Sequence, residues 1–237
     1  MTGHVAFRTA DFFDADMAAA YDRRNSGLQP ISDGLHFLMR LVLTELPQDA
    51  RILCVGVGTG ADIFALAEAF PGWTFTGVDP SPDMLAIAAH RLADAGLADR
   101  CTLVAGHVED LTETGFDAAV SLLVAHFVQE DARPAFYRAI HDRLRPGGRF
   151  VSAEISADLD GAGFPAMLAD WRQVQVMMGA NEASLAALPD MLRDVLCVLP
   201  EDRTAQLWQD AGLSRPVPFF QSFMIRAWHG TKPAAAG

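Results

Sequence analysis

Lysine is nearly missing from this chain of 237 residues: Lys232, close to the carboxyl terminus, is the single one. Its absence elsewhere excludes a phosphate-loop lysine, a core Schiff-base lysine for pyridoxal phosphate, and the Tyr-x-x-x-Lys pair of short-chain dehydrogenases. Tyr137 is indeed followed four residues later by His141, not by lysine. Cysteine is scarce too, and Cys54, Cys101 and Cys197 are too far apart to form a zinc site or an obvious disulfide framework. Positive charge is outweighed, 18 basic against 30 acidic residues for a formal net charge of −12. That balance argues against broad contact with a nucleic-acid backbone. Arg133, Arg138, Arg143, Arg145 and Arg149 fall on or near one helix and read as its solvated face. No apolar run reaches the length of a membrane span, and Met1 to Ala10 lacks a signal-peptide pattern, so a soluble, cytoplasmic protein is expected.

What the chain does have is apolar residues, 51% of the total, enough for one domain with a sizeable core. Its most informative stretch is Arg51-Ile-Leu-Cys-Val-Gly-Val-Gly-Thr-Gly-Ala61. An apolar, β-branched run meets Gly56, Gly58 and Gly60, and helix-period positions Ile63, Leu66, Ala67 and Phe70 follow at once. Glycine permits positive φ and close approach of a ligand, and the helix start behind it offers unpaired N–H groups. A second strand, Trp73 to Asp79, ends on a carboxylate about 20 residues after the turn, where such folds hold ribose hydroxyls. Nicotinamide and flavin cofactors fit this much as well as any other ribose-bearing ligand.

Strand and helix alternate from Arg51 onward, which predicts a parallel sheet wrapped on both faces. Cys101 to Ala105, Asp117 to Leu123 and Arg149 to Ile155 read as further strands, and Asp131 to Arg143 as a helix closed by Pro146-Gly-Gly148. Ser81 with Pro82 marks another helix start. Ahead of the first strand, Ala10 to Arg24 and Ile31 to Leu46 read as helices forming a lid. Asp158 to Leu213 is a helical insertion rich in Met and Leu, read chiefly as core and subunit packing, with a substrate-pocket cover as the alternative. Pro216 to Trp228 supplies the last two strands, and Lys232 to Gly237 reads as frayed. The domain bounds are therefore residues 1–48 for the lid helices, 49–156 for the ligand-binding core, 157–213 for the insertion and 214–230 for the final strands of one domain.

The segments Ile52 to Gly60, Gly77-Val-Asp-Pro-Ser-Pro-Asp-Met-Leu85, Gly106-His-Val-Glu-Asp-Leu111, Phe116 to Ser121 and Leu144-Arg-Pro-Gly-Gly-Arg-Phe150 occur in a particular order and spacing. In this the chain resembles the class I S-adenosylmethionine-dependent methyltransferases, from about Asp49 to Ile155. The resemblance implies a Rossmann-like α/β fold: a seven-stranded, mostly parallel sheet with an antiparallel last strand, helices on both faces, and the insertion before the last two strands. It implies S-adenosyl-L-methionine as cofactor, S-adenosyl-L-homocysteine as product, and a small-molecule acceptor. The implied cofactor-binding residues are Gly56, Val57, Gly58, Thr59, Gly60, Asp79, Pro80, Met84, His107, Val108 and Leu122; no metal is implied. Two positions depart from the family pattern. Cys54 replaces an acid that helps hold the methionine ammonium, and His107 replaces an acid that accepts from the adenine amino group. Backbone carbonyls, Glu109 or Asp110 are the substitutes in sight.

Phe12-Phe-Asp14, Leu123 to Val128, Met191 to Leu196, Trp208 to Leu213 and Phe219 to Phe223 are similar to parts of the carboxy-S-adenosylmethionine synthases of transfer-RNA wobble-uridine modification. The arginine and tyrosine that would hold the extra carboxylate fall on Pro189 and Ile31, neither of which can pair with one. A methyltransferase relative is therefore expected, with the carboxylating enzyme and a non-catalytic cofactor-binding protein as alternatives. A homodimer is implied by the likeness alone. If the acceptor must lose a proton, the candidate bases are His126, Glu154 and Tyr21.

Overall fold

The computed structural model describes residues 26 to 234. The helix expected over residues 10 to 24, and Tyr21 with it, lies outside the described residues. Within them the elements run α1 (Gln29–Leu43), β1 (Arg51–Val55), α2 (Ala61–Ala69), β2 (Thr74–Asp79), α3 (Pro82–Asp94), β3 (Cys101–Ala105), β4 (Phe116–Leu122), α4 (Arg133–Arg143), β5 (Leu144–Ile155), α5 (Phe164–Met177), α6 (Glu182–Asp190), α7 (Glu201–Asp210), β6 (Val217–Ser222) and β7 (Ile225–Thr231). The strands form one seven-stranded sheet in the order β3-β2-β1-β4-β5-β7-β6. β1 to β5 are mutually parallel, and β7 runs antiparallel to both of its neighbours.

Period-two alternation assigns the two faces. Leu53 and Val55 of β1, with Ala119 of β4 and Phe150 of β5, join Phe136, Tyr137 and Ile140 of α4 and Leu207 and Trp208 of α7 in one cluster. Ile52 and Cys54 point the other way, where Met39 and Leu43 of α1 and Ile63 and Leu66 of α2 cover them. Central strands buried on both sides explain why β1 reads as an unbroken apolar run. The α1 helix, expected to be part of a lid, is instead a core element: Met39 and Leu43 are fully buried against the sheet. Its stripe of Leu35, Met39 and Leu43 at four-residue spacing is the pattern of a helix seated on a sheet.

Two further expectations change. β5 begins at Leu144, earlier than Arg149, because the Pro146-Gly147-Gly148 stretch continues the strand through a bulge opposite Phe116 to Ala118. A Cβ at Gly148 would sit 2.8 Å from the Arg145 carbonyl and 3.1 Å from that of Phe116, so glycine is required for this close passage. Lys232 is not frayed. Its N–H donates to the Gly148 carbonyl at 2.9 Å, its carbonyl accepts from the Gly147 N–H at 2.8 Å, and its ammonium donates to the Leu144 carbonyl at 2.9 Å. A sole lysine can thus be a strand-end staple.

The insertion builds a third cluster. Trp171, Val174, Leu188, Leu192, Leu196 and Val198 bury one another with Leu28, Met224 and Ile225, and Leu123, Phe127 and Ile155 from the ends of β4 and β5 pack against them. The insertion therefore lies over the carboxyl ends of two central strands, the end at which open α/β sheets bind ligands.

Candidate active site

The first corner of the sheet is tied down by its own backbone. Gly56 and Val57 both donate their N–H groups to the Val78 carbonyl, at 2.8 and 3.1 Å, and the Gly60 N–H closes the turn on the Val57 carbonyl at 2.9 Å. Gly56, Gly58 and Gly60 have φ of +66°, +52° and +89°, values that only glycine adopts cheaply. A Cβ at Gly56 would overlap the Val124 side chain, whereas the outer side of Gly58 is open, with only the Gly56 carbonyl oxygen within 4.0 Å. Behind the turn, α2 starts on Gly60 with no side-chain cap, so its first-turn N–H groups are offered to a ligand.

Asp79 closes β2 beside this turn and is 8% exposed. Its Oδ2 accepts from the Gly58 N–H and its Oδ1 from the Ser81 N–H, both at 2.9 Å. Burial pushes its pKa up; the two backbone donors and the nearby His107 pull it back. Each oxygen keeps a lone pair for a hydroxyl donor. The Ser81 hydroxyl accepts from the Met84 N–H at 3.3 Å, which starts α3 just past Pro80, and Met84 is buried. Exposed His107 and buried Val108 follow β3 on the same rim, where the His107 N–H donates to Asp110 Oδ2 at 3.1 Å. Asp110 is thus engaged in its own turn. Thr59 is buried within the corner, and Leu122 ends β4 half-buried.

After β4 the chain turns sharply. Leu123 has φ of +59°, unusual for a residue with a side chain, and its N–H donates to the Ala153 carbonyl at 2.6 Å. Such a conformation costs about 1–2 kcal/mol, and it sets Val124 against Gly56 and carries His126 to the end of β5. There His126 Nδ1 accepts from the Ile155 N–H at 3.2 Å, while its carbonyl accepts from the Cys197 N–H at 2.8 Å. Burial and the charge of Arg133 lower its pKa to about 3. The ring is neutral at physiological pH, and because Nδ1 accepts from the Ile155 N–H its proton sits on Nε2.

Glu154 is fully enclosed. Its Oε2 meets Arg133 Nη1 at 2.6 Å and its Oε1 accepts from the Thr204 hydroxyl at 3.0 Å. Burial raises its pKa, and Arg133 works against that. Arg133 also donates to the carbonyls of Val128 and Cys197. This arginine, read from sequence as part of a solvated face, has no exposed surface. A signal for its burial existed: it occupies the first turn of α4, where the helix dipole disfavours a cation unless a carboxylate answers it. The other arginines of that group also bond within the chain, Arg138 to the Asp210 carbonyl, Arg143 to that of Glu109, Arg145 to Asp117 and Arg149 to the Val42 carbonyl. A second pair that sequence reasoning missed is His36 on α1 and Asp62 in the first turn of α2, Nε2 to Oδ1 at 2.9 Å.

Residues 52–148 match a family model described as a methyltransferase domain. The carboxy-S-adenosyl-L-methionine synthase of Dichelobacter nodosus is 24% identical over 223 residues, covering 93% of this chain and 92% of that protein. The demethylspheroidene O-methyltransferase of Cereibacter sphaeroides is 31% identical over 142 residues, 60% of this chain and 36% of its own length. Among solved structures, human N-acetylserotonin methyltransferase in complex with SAM aligns at a TM-score of 0.69 with 15% identity, over 99% of this chain and 61% of that one. Residues 52–148 are a methyltransferase domain, and the chain around them is similar to S-adenosylmethionine-dependent methyltransferases.

The geometry of this methyltransferase fits its cofactor, S-adenosylmethionine. The cradle over Gly58 is one that a Cβ would fill, the α2 first turn supplies donors for a carboxylate, and Asp79 has acceptor capacity for sugar hydroxyls. The matching solved structures are longer: this chain spans 53% of the S-adenosylmethionine-dependent methyltransferase SibL, to which it aligns at a TM-score of 0.62 with 20% identity over 83% of itself.

Proposed function

We propose that this methyltransferase acts on a small, mainly apolar acceptor seated between the glycine corner and the helical insertion, without a general base from His126 or Glu154. One observation carries the assignment. Leu123, Phe127 and Ile155 at the strand ends face a cluster completed by Met167, Leu168, Met178 and Met191 of the insertion, adaptable side chains suited to an apolar guest. The cofactor, when bound, supplies an electrophilic methyl group on a sulfonium. The protein's part is to orient the acceptor in line with it and to exclude water. His126 contributes a fixed Nε2–H donor and Glu154 braces the wall; if the acceptor must lose a proton, Tyr21 is the remaining side chain of the expected set.

The carboxylating alternative is disfavoured by the same region. Ile31 packs into the insertion cluster, and Pro189 directly follows Leu188, a buried member of it. Neither side chain offers a cation for an added carboxylate. The free thiols of Cys54, Cys101 and Cys197 support placing the enzyme in a reducing, cytoplasmic setting. Mass spectrometry of cofactor carried through purification tests the proposal: S-adenosylmethionine or S-adenosylhomocysteine is expected, and a carboxylated species would overturn it. A screen with methyl-labelled cofactor should then find label on small apolar nucleophiles and none on transfer RNA.

A further inference from the structure

The amino-acid end of S-adenosylmethionine is zwitterionic, so a corner that receives its carboxylate on helix N–H groups must also answer an ammonium. The strand beneath the turn cannot do this. Cys54 is fully buried and neutral, its thiol held well above the usual range by burial first and then by the charge of Asp62. Asp79 has both oxygens on backbone donors of the turn and of the Ser81 cap, on the sugar side. A carboxylate does stand at the start of the helix that follows: Asp62, two residues after Gly60 in the first turn of α2, its side chain 13% exposed. His36 Nε2 meets Oδ1 at 2.9 Å and so fixes the carboxylate plane, and among the described residues Oδ2 has no hydrogen-bond partner.

We infer that Asp62, oriented by His36, is the carboxylate that binds the ammonium of the cofactor's amino-acid end, supplied here by the helix start in place of the strand. The assignment rests on the cofactor-binding corner described above. His36 is a positioning residue: it sits on α1, whose Met39 and Leu43 are locked into the sheet face, so the pair ties that helix to the cofactor turn. Neighbouring charges on the same helix are Asp33 and Arg40.

Calorimetry with two ligands tests this. S-adenosylhomocysteine carries the ammonium, and 5′-methylthioadenosine has the same adenosyl thioether without the amino-acid end. Asp62→Asn, which preserves shape and a hydrogen bond to His36, should weaken S-adenosylhomocysteine about ten- to hundred-fold, the size of a lost charged hydrogen bond. Methylthioadenosine should bind both proteins equally. Equal affinity of wild type and Asp62→Asn for S-adenosylhomocysteine would overturn the assignment, as would equal weakening of both ligands. Failure of the wild-type protein to bind either ligand would instead refute the cofactor corner itself.

Discussion

Gly56 and Gly58 stand two residues apart and share a backbone conformation, yet they answer to different constraints. Gly56 is pressed by Val124, and Gly58 looks out into open space. Gly56→Ala should therefore cost about 2–4 kcal/mol of stability, from left-handed backbone plus overpacking. Gly58→Ala should cost about 1–2 kcal/mol while sharply weakening S-adenosylhomocysteine, because its methyl enters the cradle. Denaturant melts beside calorimetry separate the two. His126 gives a pH prediction. Its pKa is lowered from 6.5 to about 3, so below pH 6.5 the unfolded chain takes a proton that the folded chain refuses. Stability is lost as pH falls through that window, by about 2 kcal/mol at pH 5 for this residue. His126→Asn keeps an acceptor for the Ile155 N–H and should remove that part of the loss between pH 7 and 5; identical acid profiles would contradict a buried, neutral ring. The glycines and Asp79 were legible from sequence because backbone conformation and strand-end position confine residue type. The tautomer of His126 was not, because it depends on Ile155, which lies 29 residues away in sequence.

At the scale of elements, a buried charge holds the insertion to the sheet. Arg133 on α4, Glu154 on β5 and Thr204 on α7 form one bonded group, and Arg133 also holds the chain at Val128 and Cys197. Arg133→Met leaves Glu154 buried without its partner and should cost about 3–5 kcal/mol. Adding Glu154→Leu should restore much of that, since the pair taken out together is far less costly than one half. A double variant as unstable as the sum of the two singles, by urea melts, would contradict their coupling. The strands of the amino-terminal half could be read directly, because β1, β2 and β3 are short apolar runs punctuated by glycine or an acid. Elements whose identity depends on distant neighbours were less legible. α1 has the same amphipathic pattern as a lid helix, and only the sheet face beneath Met39 and Leu43 makes it core. The early start of β5 depends on the Phe116 strand passing close to Gly148.

The molecule as a whole is a doubly covered sheet whose carboxyl edge carries two unlike surfaces. One is the polar glycine corner with Asp79 and the His36–Asp62 pair, and the other is the apolar wall made where the insertion meets β4 and β5. Such a division suits a charged cofactor placed beside an apolar acceptor, and it was only half visible in sequence. The corner is written in a contiguous motif, whereas the wall is assembled from side chains as far apart as Leu28 and Ile225. The central claim, that the first β-α corner grips an adenosyl sulfonium by Asp79, is tested most directly by calorimetry of S-adenosylhomocysteine, with NAD as the control ligand. Binding of S-adenosylhomocysteine and not NAD to the wild-type protein, abolished by Asp79→Ala with the melting transition retained, is the result predicted. Undiminished uptake by Asp79→Ala, or preference for NAD, would contradict it.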